Sequence, residues 1–490
     1  MSIFEATMVI GGESVAASDG GTFDAINPYT AERWATVPAA TTTDVDSAVN
    51  AAASAFVEWR ATPGFKRAEL MHRLADAIVE HADRLAEWET TDNGKVIRET
   101  KPQMMFFARN LRFFAGYADK VYGRTIPMDN PAVFDYTVRR PFGVCVLITA
   151  WNSPVALLGN KLPPALATGN TVVIKPSEHA SVTTTEIARF ALEVGFPPGV
   201  INVVTGAGDV GDALTRHPGV SRISFTGGGF TAHRIASNAA ERLIPVTMEL
   251  GGKSPNIIFE DADIDRAVVG AVAGIFAAAG QTCVAGSRLL VQRSIYSRVV
   301  DEVAARAERI ALGDPRETTT EMGPVANQPQ FDRISSLIEQ TRADGAKVVA
   351  GGDAATDLGR GLFIKPTVIA DVEPASAIAQ NEVFGPVLAA IPFDTEAEAV
   401  EIANMTEYGL ASGVWTNDLG RAHRVSDALD VGVVWVNTYR TSGAQAPFGG
   451  AKQSGWGRER GAEALEEYTY VKNVMIDTST ETRDPFVIRT

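Results

Sequence analysis

Hydrophobic residues in the first quarter of the chain recur at the spacing of helices. Residues 45–59 are rich in alanine and follow Asp44, which we interpret as the N-cap of a helix. Residues 65–89 repeat apolar positions at close to 3.6 residues, and residues 102–119 form a third helical pattern with several phenylalanines. Before them, turns at Gly11-Gly12, Gly20-Gly21 and Asn27-Pro28 predict short hairpin-like strands.

Short apolar runs alternate with helical patterns from residue 143 onwards. The first runs are GVCVLITA, NTVVIK, GVINVVTG, VSRISFTG and IPVTMELGG, with helices predicted at residues 155–167 and 182–194. Buried strands that alternate with helices predict a parallel sheet with helices on both faces. The alternation restarts near Leu250 with PNIIF, SRLLVQ, AKVVAGG, FIKPTVI, VLAAIPF, ASGVWT and GVVWVN, and helices are expected at 264–279, 295–311 and 395–405. A second α/β domain is therefore predicted.

Two further strand patterns fit neither domain. They are FDYTVRRPFG, near residue 134, and YTYVKNVMI close to the C-terminus. We interpret both as strands that pair outside these two domains, for example with another subunit.

Composition narrows the function classes. A chain of 490 residues is too long for one core, so two or three domains are expected. The net charge of −15, without a long Lys/Arg run, argues against nucleic acid as a partner. No apolar stretch is long enough to span a membrane, and the N-terminus does not resemble a signal peptide. Two cysteines favour a reduced, cytoplasmic protein, and the six histidines do not cluster with them as metal ligands would.

Cys283 lies among small and polar residues in the stretch GQTCVAGS. A thiol on such a slim backbone, just past a helical run, can be reached by a small electrophile. Without a nearby cation its pKa is expected near the free value of roughly 8.5. The alternative is that Cys283 is a small buried apolar residue, and Cys145, inside an apolar strand, fits that alternative better.

Two more polar residues follow predicted strands. Glu249 in MELGGKSP ends an apolar strand, where burial would raise its pKa and suit a general base, although a salt bridge at a strand end is the alternative. Asn152 in AWNSP could donate its amide to a developing oxyanion, or act as the N-cap of the next helix.

Three other stretches suggest nucleotide binding. In IKPSE, Lys175 and Glu178 could bond sugar hydroxyls, and a carboxylate there favours NAD over NADP; solvated loop charges are the alternative. FTGGGFTAHRI joins a strand, a glycine-rich turn and a helix whose first amides would face an anion. In NEVFGPV, Glu382 and Phe384 could contact a ribose and a nicotinamide, or anchor a loop.

Taken in order, WNSP, IKPSE, FTGG, MELGGKSP, GQTC, EVFGPV and PFGGAKQSGWGRE resemble the aldehyde dehydrogenase superfamily of the non-acylating, hydrolytic type. The resemblance implies an α/β fold with three parts. A Rossmann-like NAD-binding domain would comprise 1–124 and 144–249, with 448–469 returning to it. An α/β catalytic domain would span 250–447. A small β oligomerisation domain at 125–143 and 470–490 would pair its strands across a dimer.

The resemblance also implies roles for single residues. Cys283 is the expected nucleophile, Glu249 the general base and Asn152 the oxyanion donor, with Lys161 and Glu459 as a proton-transfer pair. The cofactor would be NAD, with NADP as the alternative. Its expected contacts are Ile148, Thr149, Trp151, Lys175, Glu178, Gly208, Phe225, Gly227, Gly228, Leu250, Glu382 and Phe384. Gly228 and Ala232 depart from the usual Ser and Gly, and Ala150 replaces a usual proline.

The implied reaction oxidises an aldehyde to a carboxylic acid through a cysteine hemithioacetal and a thioester, in a homodimer or homotetramer. The pocket is expected to comprise Phe106, Ser153, Leu157, Asn160, Thr282, Val284 and Ser442 within the loop 439–443. Small polar residues at 153 and 160 predict a bulky or functionalised aldehyde. Arg440 could pair with a substrate carboxylate or lie exposed. A CoA-acylating semialdehyde dehydrogenase and a non-catalytic homologue are the rival interpretations.

Overall fold

The computed structural model describes residues 3–480 and residue 486. The strands, β1 to β23 in chain order, are Phe4–Glu5, Met8–Ile10, Glu13–Val15, Thr22–Ile26, Arg33–Pro38, Thr125–Ile126, Val133–Pro141, Val144–Ile148, Thr171–Lys175, Ile201–Val203, Arg222–Thr226, Val246–Glu249, Pro255–Ile258, Arg288–Gln292, Lys347–Ala350, Thr367–Ala370, Val387–Phe393, Tyr408–Gly409, Ala411–Trp415, Val433–Val436, Ala451–Lys452, Gly455–Trp456 and Thr469–Asp477. The helices, α1 to α15, are Thr42–Trp59, Gly64–Glu80, Ala82–Asn93, Ile97–Ala115, Pro154–Ala167, Val182–Glu193, Gly208–Arg216, Gly229–Ala240, Ile264–Phe276, Tyr296–Glu308, Gln328–Ala343, Ala377–Gln380, Glu396–Asn404, Leu419–Ala428 and Glu463–Glu467.

The first large sheet has the strand order β22-β12-β11-β8-β9-β10-β2-β3. Its inner strands, from β12 to β10, run parallel, while β22 and β2 join antiparallel at either side. Both faces are covered, because Cys145 and Leu147 of β8 pack into one hydrophobic cluster and Val144 and Val146 into another. This double burial explains why the strands appear in the sequence as continuous apolar runs.

The second large sheet has the order β15-β16-β17-β14-β13-β19-β20. All its pairings are parallel except that of the edge strand β15. The seven apolar runs predicted after Leu250 correspond to these strands, so the expectation of a second sheet of this kind is confirmed. Helices α11 and α14 were not predicted from the sequence, although Phe331, Ile334 and Ile338 of α11 recur at helical spacing.

A third sheet contains the two strands that fitted neither domain. β23 pairs antiparallel with β7 along its whole length, from Thr469 opposite Pro141 to Asp477 opposite Val133. The two strands therefore find partners in each other inside one chain, and the pairing of this sheet with a second subunit stays a prediction. Of the predicted segment 470–490, residues 481–485 and 487–490 lie outside the described residues.

Three helix predictions in the first quarter need correction. The N-cap of α1 is Thr41, and Asp44 is its partner in a capping box, three residues into the helix. The pattern at 65–89 is two helices, since the chain leaves helical geometry at His81, whose ring stacks on Phe190. Helix α4 begins at Ile97, so Pro102 lies inside it. Within the described residues, no helix combines the length and apolarity needed to span a bilayer.

Candidate active site

The thiol of Cys283, the carboxylate of Glu249 and the amide of Asn152 lie around one cavity of ≈ 160 Å³. These three residues come from the two large sheets and the loops that leave them. The cavity is lined by Ala150, Trp151, Asn152, Leu157, Thr226, Gly227, Gly228, Glu249, Leu250, Gly251, Cys283, Gln330, Arg333, Glu382 and Phe384. Three chemically distinct groups that were singled out from separate motifs are thus brought together.

The backbone before Cys283 is unusually tight. After α9, Ala278 and Ala279 adopt left-handed φ values of 54° and 51°. Gly280 follows at φ 70°, and a Cβ there would lie 2.0 Å from the carbonyl oxygen of Gly385, so only glycine fits. This turn sets the position of the thiol at the cavity wall.

The pKa of the Cys283 thiol is raised to about 12, mainly by burial and further by the nearby carboxylates of Glu249 and Glu382. The expectation of a value near that of free cysteine is therefore wrong. The loop of small residues leaves the Cys283 side chain half-buried, but the protein around the sulfur and the two carboxylates disfavour the thiolate. Cys283 is consequently a neutral thiol at rest and needs a base to become a nucleophile.

Glu249 is the last residue of β12 and is buried. Within the described residues, neither of its carboxylate oxygens has a hydrogen-bond partner. Burial raises its pKa well above the ordinary value, and the charge of Glu459 adds to the effect. The salt-bridge alternative does not hold, and a carboxylate with these properties can accept a proton near neutral pH.

Asn152 lies in the loop between β8 and α5, facing the cysteine loop. Its side-chain Nδ2 donates to the backbone oxygen of Gln281 over 2.9 Å. The N-cap position of α5 belongs to Ser153, so the N-cap alternative for Asn152 is wrong. The amide is therefore held beside the thiol, with a second N–H left for another acceptor.

Lys161 and Glu459 form a buried ion pair. The distance from Lys161 Nζ to Glu459 Oε1 is 2.6 Å, and Nζ also bonds Ser224 Oγ at 3.0 Å. The Lys161 side chain is fully buried and that of Glu459 is 4 % exposed. Because the charge of Glu459 acts on Glu249, this pair forms the layer directly behind the cavity.

A second cleft of ≈ 370 Å³ opens beyond the carboxyl ends of β8, β9 and β11. Nine residues expected to bind a cofactor line it: Ile148, Thr149, Trp151, Lys175, Glu178, Gly208, Phe225, Gly227 and Gly228. Lys175 is buried, and its Nζ lies 3.6 Å from Glu178 Oε2, so these charges are not simply solvated. The cleft shares Trp151, Gly227 and Gly228 with the thiol cavity, so the two spaces adjoin.

The cleft has the polar groups and the clearance that a dinucleotide needs. Thr149 Oγ1 and Thr226 Oγ1 are buried there without a partner among the described residues. A Cβ added at Gly208 or Gly228 would meet open space. Helix α8 begins beside Gly228 without a side-chain cap, which leaves its first amides free for an anion. These features fit a pyrophosphate flanked by sugar hydroxyls.

The remaining expected cofactor contacts, Leu250, Glu382 and Phe384, line the thiol cavity instead. Glu382 Oε1 accepts from the amide of Gly252 at 3.0 Å, and burial raises the pKa of Glu382 to about 7. The ring of Phe384 stands edge-on to Trp151, with centroids 5.3 Å apart. An aromatic wall and a carboxyl group thus lie where the two spaces meet.

The predicted substrate pocket is only partly assembled around the thiol. Leu157 lines the cavity, and Val284 packs in an apolar cluster that Cys283 contacts. Asn160 Oδ1 accepts from Arg460 Nε at 3.0 Å, and Phe106 lies under the same guanidinium. Thr282 Oγ1 lies 3.3 Å from Arg440 Nη2, Ser153 Oγ bonds Lys95 Nζ, and Ser442 is exposed in its loop.

Two cations near the thiol were missed from the sequence. Arg460 directly follows Glu459, so the motif that identified Glu459 could also have drawn attention to it. Lys95 is buried, and burial lowers its pKa. It follows the left-handed Gly94 that ends α3, a pattern that marks only a helix end.

Comparison with known proteins covers nearly the whole chain. A family model described as "Aldehyde dehydrogenase family" matches residues 15–474. The (Z)-2-((N-methylformamido)methylene)-5-hydroxybutyrolactone dehydrogenase of Acinetobacter baylyi is 46% identical over 473 residues, which are 95% of this chain and 96% of that protein. An aldehyde dehydrogenase structure from Bacillus cereus has a TM-score of 0.95 at 43% identity, covering 97% of each chain. A betaine aldehyde dehydrogenase structure from Staphylococcus aureus in complex with NAD+ has a TM-score of 0.96 at 42% identity, covering 98% of this chain and 96% of that one.

Proposed function

Because the chain belongs to the aldehyde dehydrogenase family of oxidoreductases, we propose that it oxidises a bulky or functionalised aldehyde to a carboxylic acid with NAD as electron acceptor. The resemblance and the mixed α/β fold expected from the sequence are both confirmed. The observation that carries the proposal is the shared wall between two spaces. Trp151, Gly227 and Gly228 border both the Cys283 cavity and the cleft that fits a dinucleotide.

NAD would be held along the outer cleft. Lys175 and Glu178 would bind the adenosine ribose, and the Glu178 carboxylate would repel a 2′-phosphate, which favours NAD over NADP. Glu382 and Phe384, at the inner end, would contact the nicotinamide and its ribose. Bound NAD supplies the acceptor for the hydride that leaves the substrate.

Cys283 would be the nucleophile and Glu249 the group that removes its proton. A thiol with a pKa of about 12 is inert until a base takes the proton, and Glu249 is the buried base in the same cavity. Attack of the sulfur on the carbonyl carbon gives a hemithioacetal. The Asn152 amide and the Cys283 backbone N–H would hold its oxyanion.

Loss of hydride leaves a thioester on Cys283, which must be hydrolysed. Glu249 would take a proton from water, whose oxygen attacks the thioester carbon and expels the thiolate. The carboxyl oxygens of Glu249 have no fixed partner among the described residues, so rotation between thiol and water breaks no hydrogen bond. Lys161 and Glu459 would carry the proton away from the cavity.

The substrate class rests on small polar side chains at two positions. Many relatives are expected to have one aromatic residue at the position of Ser153 and another near Asn160, and the 46% identical relative is named for a functionalised substrate. The test is a kcat/KM panel of aliphatic, aromatic and semialdehyde substrates, following NADH formation, with Cys283→Ala as control. Best turnover of acetaldehyde would contradict the wide pocket. A requirement for CoA would contradict hydrolysis by Glu249.

Organisation and location are also proposals. The division of the chain into domains stays a prediction: a cofactor domain at 1–124 and 144–249, a catalytic domain at 250–447, and oligomerisation strands. The pairing of β22 with β12 supports the return of residues 448–469 to the cofactor domain. A homodimer or homotetramer in the cytoplasm is proposed, and the two unpaired cysteines agree with a reducing compartment. Size-exclusion chromatography with light scattering tests the assembly.

A further inference from the structure

Arg460 holds a positive charge close enough to Cys283 to act on its thiol. Its guanidinium lies over the rings of Phe106 and Phe448, with its carbon 5.0 and 4.7 Å from their centroids. Phe448 packs in the same small cluster as Cys283. The charge of Arg460 also acts on Cys283 and Glu249. The guanidinium therefore stands among residues that border the reacting thiol.

The hydrogen bonds of this guanidinium are incomplete. Its Nε donates to Asn160 Oδ1 at 3.0 Å, and within residues 3–480 and 486 neither Nη atom has a hydrogen-bond acceptor. Burial lowers its pKa, but an arginine side chain stays protonated at any pH of interest. The two Nη atoms of the guanidinium present two parallel N–H groups, which match the two oxygens of a carboxylate.

The two arginines nearest the thiol also lack ion-pair contacts. Among the described residues, no carboxylate lies within ion-pair distance of Arg460 or of Arg440, and Arg440 contacts only the oxygens of Thr282 and Ala273. Lys95 lies close enough for its charge to interact with those of Cys283 and Arg440, although Glu89 and Glu99 offset it. Both arginines thus lack a direct ion-pair partner among these residues, although the charges of Glu459 and Glu249 act on Arg460.

We propose that Arg460 binds a carboxylate at the far end of the substrate, so that the preferred substrates are acids carrying an aldehyde group. This inference rests on the proposed function, because it assigns the substrate class of the same site. Asn160 acts as a positioning residue, since its side chain fixes Nε and so leaves the two Nη atoms for the substrate. The aromatic rings on either side displace water from the guanidinium, which strengthens its attraction for an anion.

An alternative role for Arg460 is to favour the Cys283 thiolate, since a nearby cation lowers a thiol pKa. The two roles differ in what they predict. A cation that acts on the thiol affects every aldehyde alike, whereas a carboxylate-binding group affects only substrates that carry the anion.

The test compares semialdehydes of increasing chain length, from succinic to adipic, with their methyl esters, which keep the shape and lose the charge. Wild-type enzyme is expected to prefer the best acid over its ester by about 10-fold or more in kcat/KM, as a charge-assisted hydrogen bond implies. Arg460→Gln should remove that preference and leave the ester within about threefold of wild type. Arg460→Lys should restore part of the preference for the acid, because lysine returns the positive charge without the two parallel N–H groups of the guanidinium.

Arg109→Gln is the matched control. Arg109 also stacks on a ring, that of Phe113 at 5.8 Å, but it is exposed on α4. Its replacement should change kcat/KM for neither the acid nor the ester. A second measurement needs no variant: dicarboxylate products should inhibit wild-type enzyme more strongly than their monomethyl esters.

The outcomes separate the two proposals. If wild-type enzyme oxidises no aldehyde, the proposed function fails. If it oxidises esters as well as acids, and dicarboxylates do not inhibit preferentially, only the carboxylate site fails. An equal loss for acid and ester in Arg460→Gln, with an unchanged melting temperature, would assign Arg460 to the thiol and overturn the inference.

Discussion

Lys161 Nζ lies 2.6 Å from Glu459 Oε1, and both side chains are almost completely removed from solvent. The two residues are 298 positions apart, so this contact joins helix α5 to the segment that returns near the C-terminus. Ser224 provides a further hydrogen bond to the ammonium group. The pair is therefore both a structural link and the layer behind Glu249.

Removing one partner of this pair should be costly. Lys161→Met leaves the Glu459 carboxylate buried without its ion-pair partner, and we expect a loss of about 3–5 kcal/mol in unfolding free energy. The double variant Lys161→Met/Glu459→Gln should recover most of it. Urea denaturation measures the unfolding free energy of the single and the double variant. Lys101→Met, which breaks the exposed pair with Asp83, should cost less than about 1 kcal/mol; an equal cost would contradict the argument.

Replacing Cys283 by serine should abolish aldehyde-dependent NADH formation, because the hydroxyl has a far higher pKa than the thiol. The melting temperature should hardly change, since the two side chains are similar in size. Iodoacetamide should label Cys283 and leave Cys145 unmodified in the folded protein, because Cys145 is fully buried in β8. Mass spectrometry after digestion reports both. Activity retained in Cys283→Ser would refute a thioester mechanism.

Glu249→Gln should lower steady-state turnover by about 10²–10⁴-fold, the range for loss of a general base. Rapid-mixing absorbance distinguishes the blocked step. A stoichiometric burst of NADH followed by arrest places the main role of Glu249 in hydrolysis, whereas no burst places it in activation of the thiol. Wild-type rates in both the burst and the steady state would contradict any role of Glu249 as a base.

The rate should rise with pH through the neutral range. Burial raises the pKa of Glu249 well above the ordinary value, and Glu249 is proposed to act in its deprotonated form. Because Glu249 takes the proton of the neutral Cys283 thiol, Glu249 must lose its own proton before catalysis, and kcat/KM should increase as the pH rises through its raised pKa. In Glu249→Gln, the part of this pH dependence that is due to the Glu249 carboxyl group should disappear. A rate that falls over this range would contradict the assignment.

Gly228→Ser should strengthen cofactor binding. An added Cβ at this position meets no atom within 4 Å, and φ is −81°, so a serine fits without strain. The hydroxyl provides one more donor for the pyrophosphate, and KM for NAD should fall about 2- to 10-fold. Gly228→Ala, which adds the methyl group alone, is the control. An unchanged KM in the serine variant would indicate that the phosphates lie elsewhere.

The sequence was most informative where burial is uniform. Strands such as Val144–Ile148 and Thr171–Lys175 are buried on both faces, so their apolar runs marked them directly. Because parallel strands end at one edge of a sheet, the motifs that follow them predicted neighbours correctly, including Asn152 and Lys175 in adjoining spaces.

Long-range contacts were less predictable. The pairing of β7 with β23 depends on where the chain returns, which no local pattern encodes. The raised pKa of Cys283 depends on the packing of two sheets and on distant carboxylates. Arg460 was missed because a charged residue after Glu459 looks like an ordinary surface residue until Asn160, Phe106 and Phe448 are seen around it.

Pairing of β22 with β12 has a consequence for biosynthesis. The strand that ends in Glu249 receives its outer neighbour only from Gly455–Trp456, more than two hundred residues later in translation. A nascent chain can therefore complete most of its second sheet while the edge of the first is still open. Residues 455–459 close that edge and deliver Glu459, so the enzyme should become active only after this segment has left the ribosome.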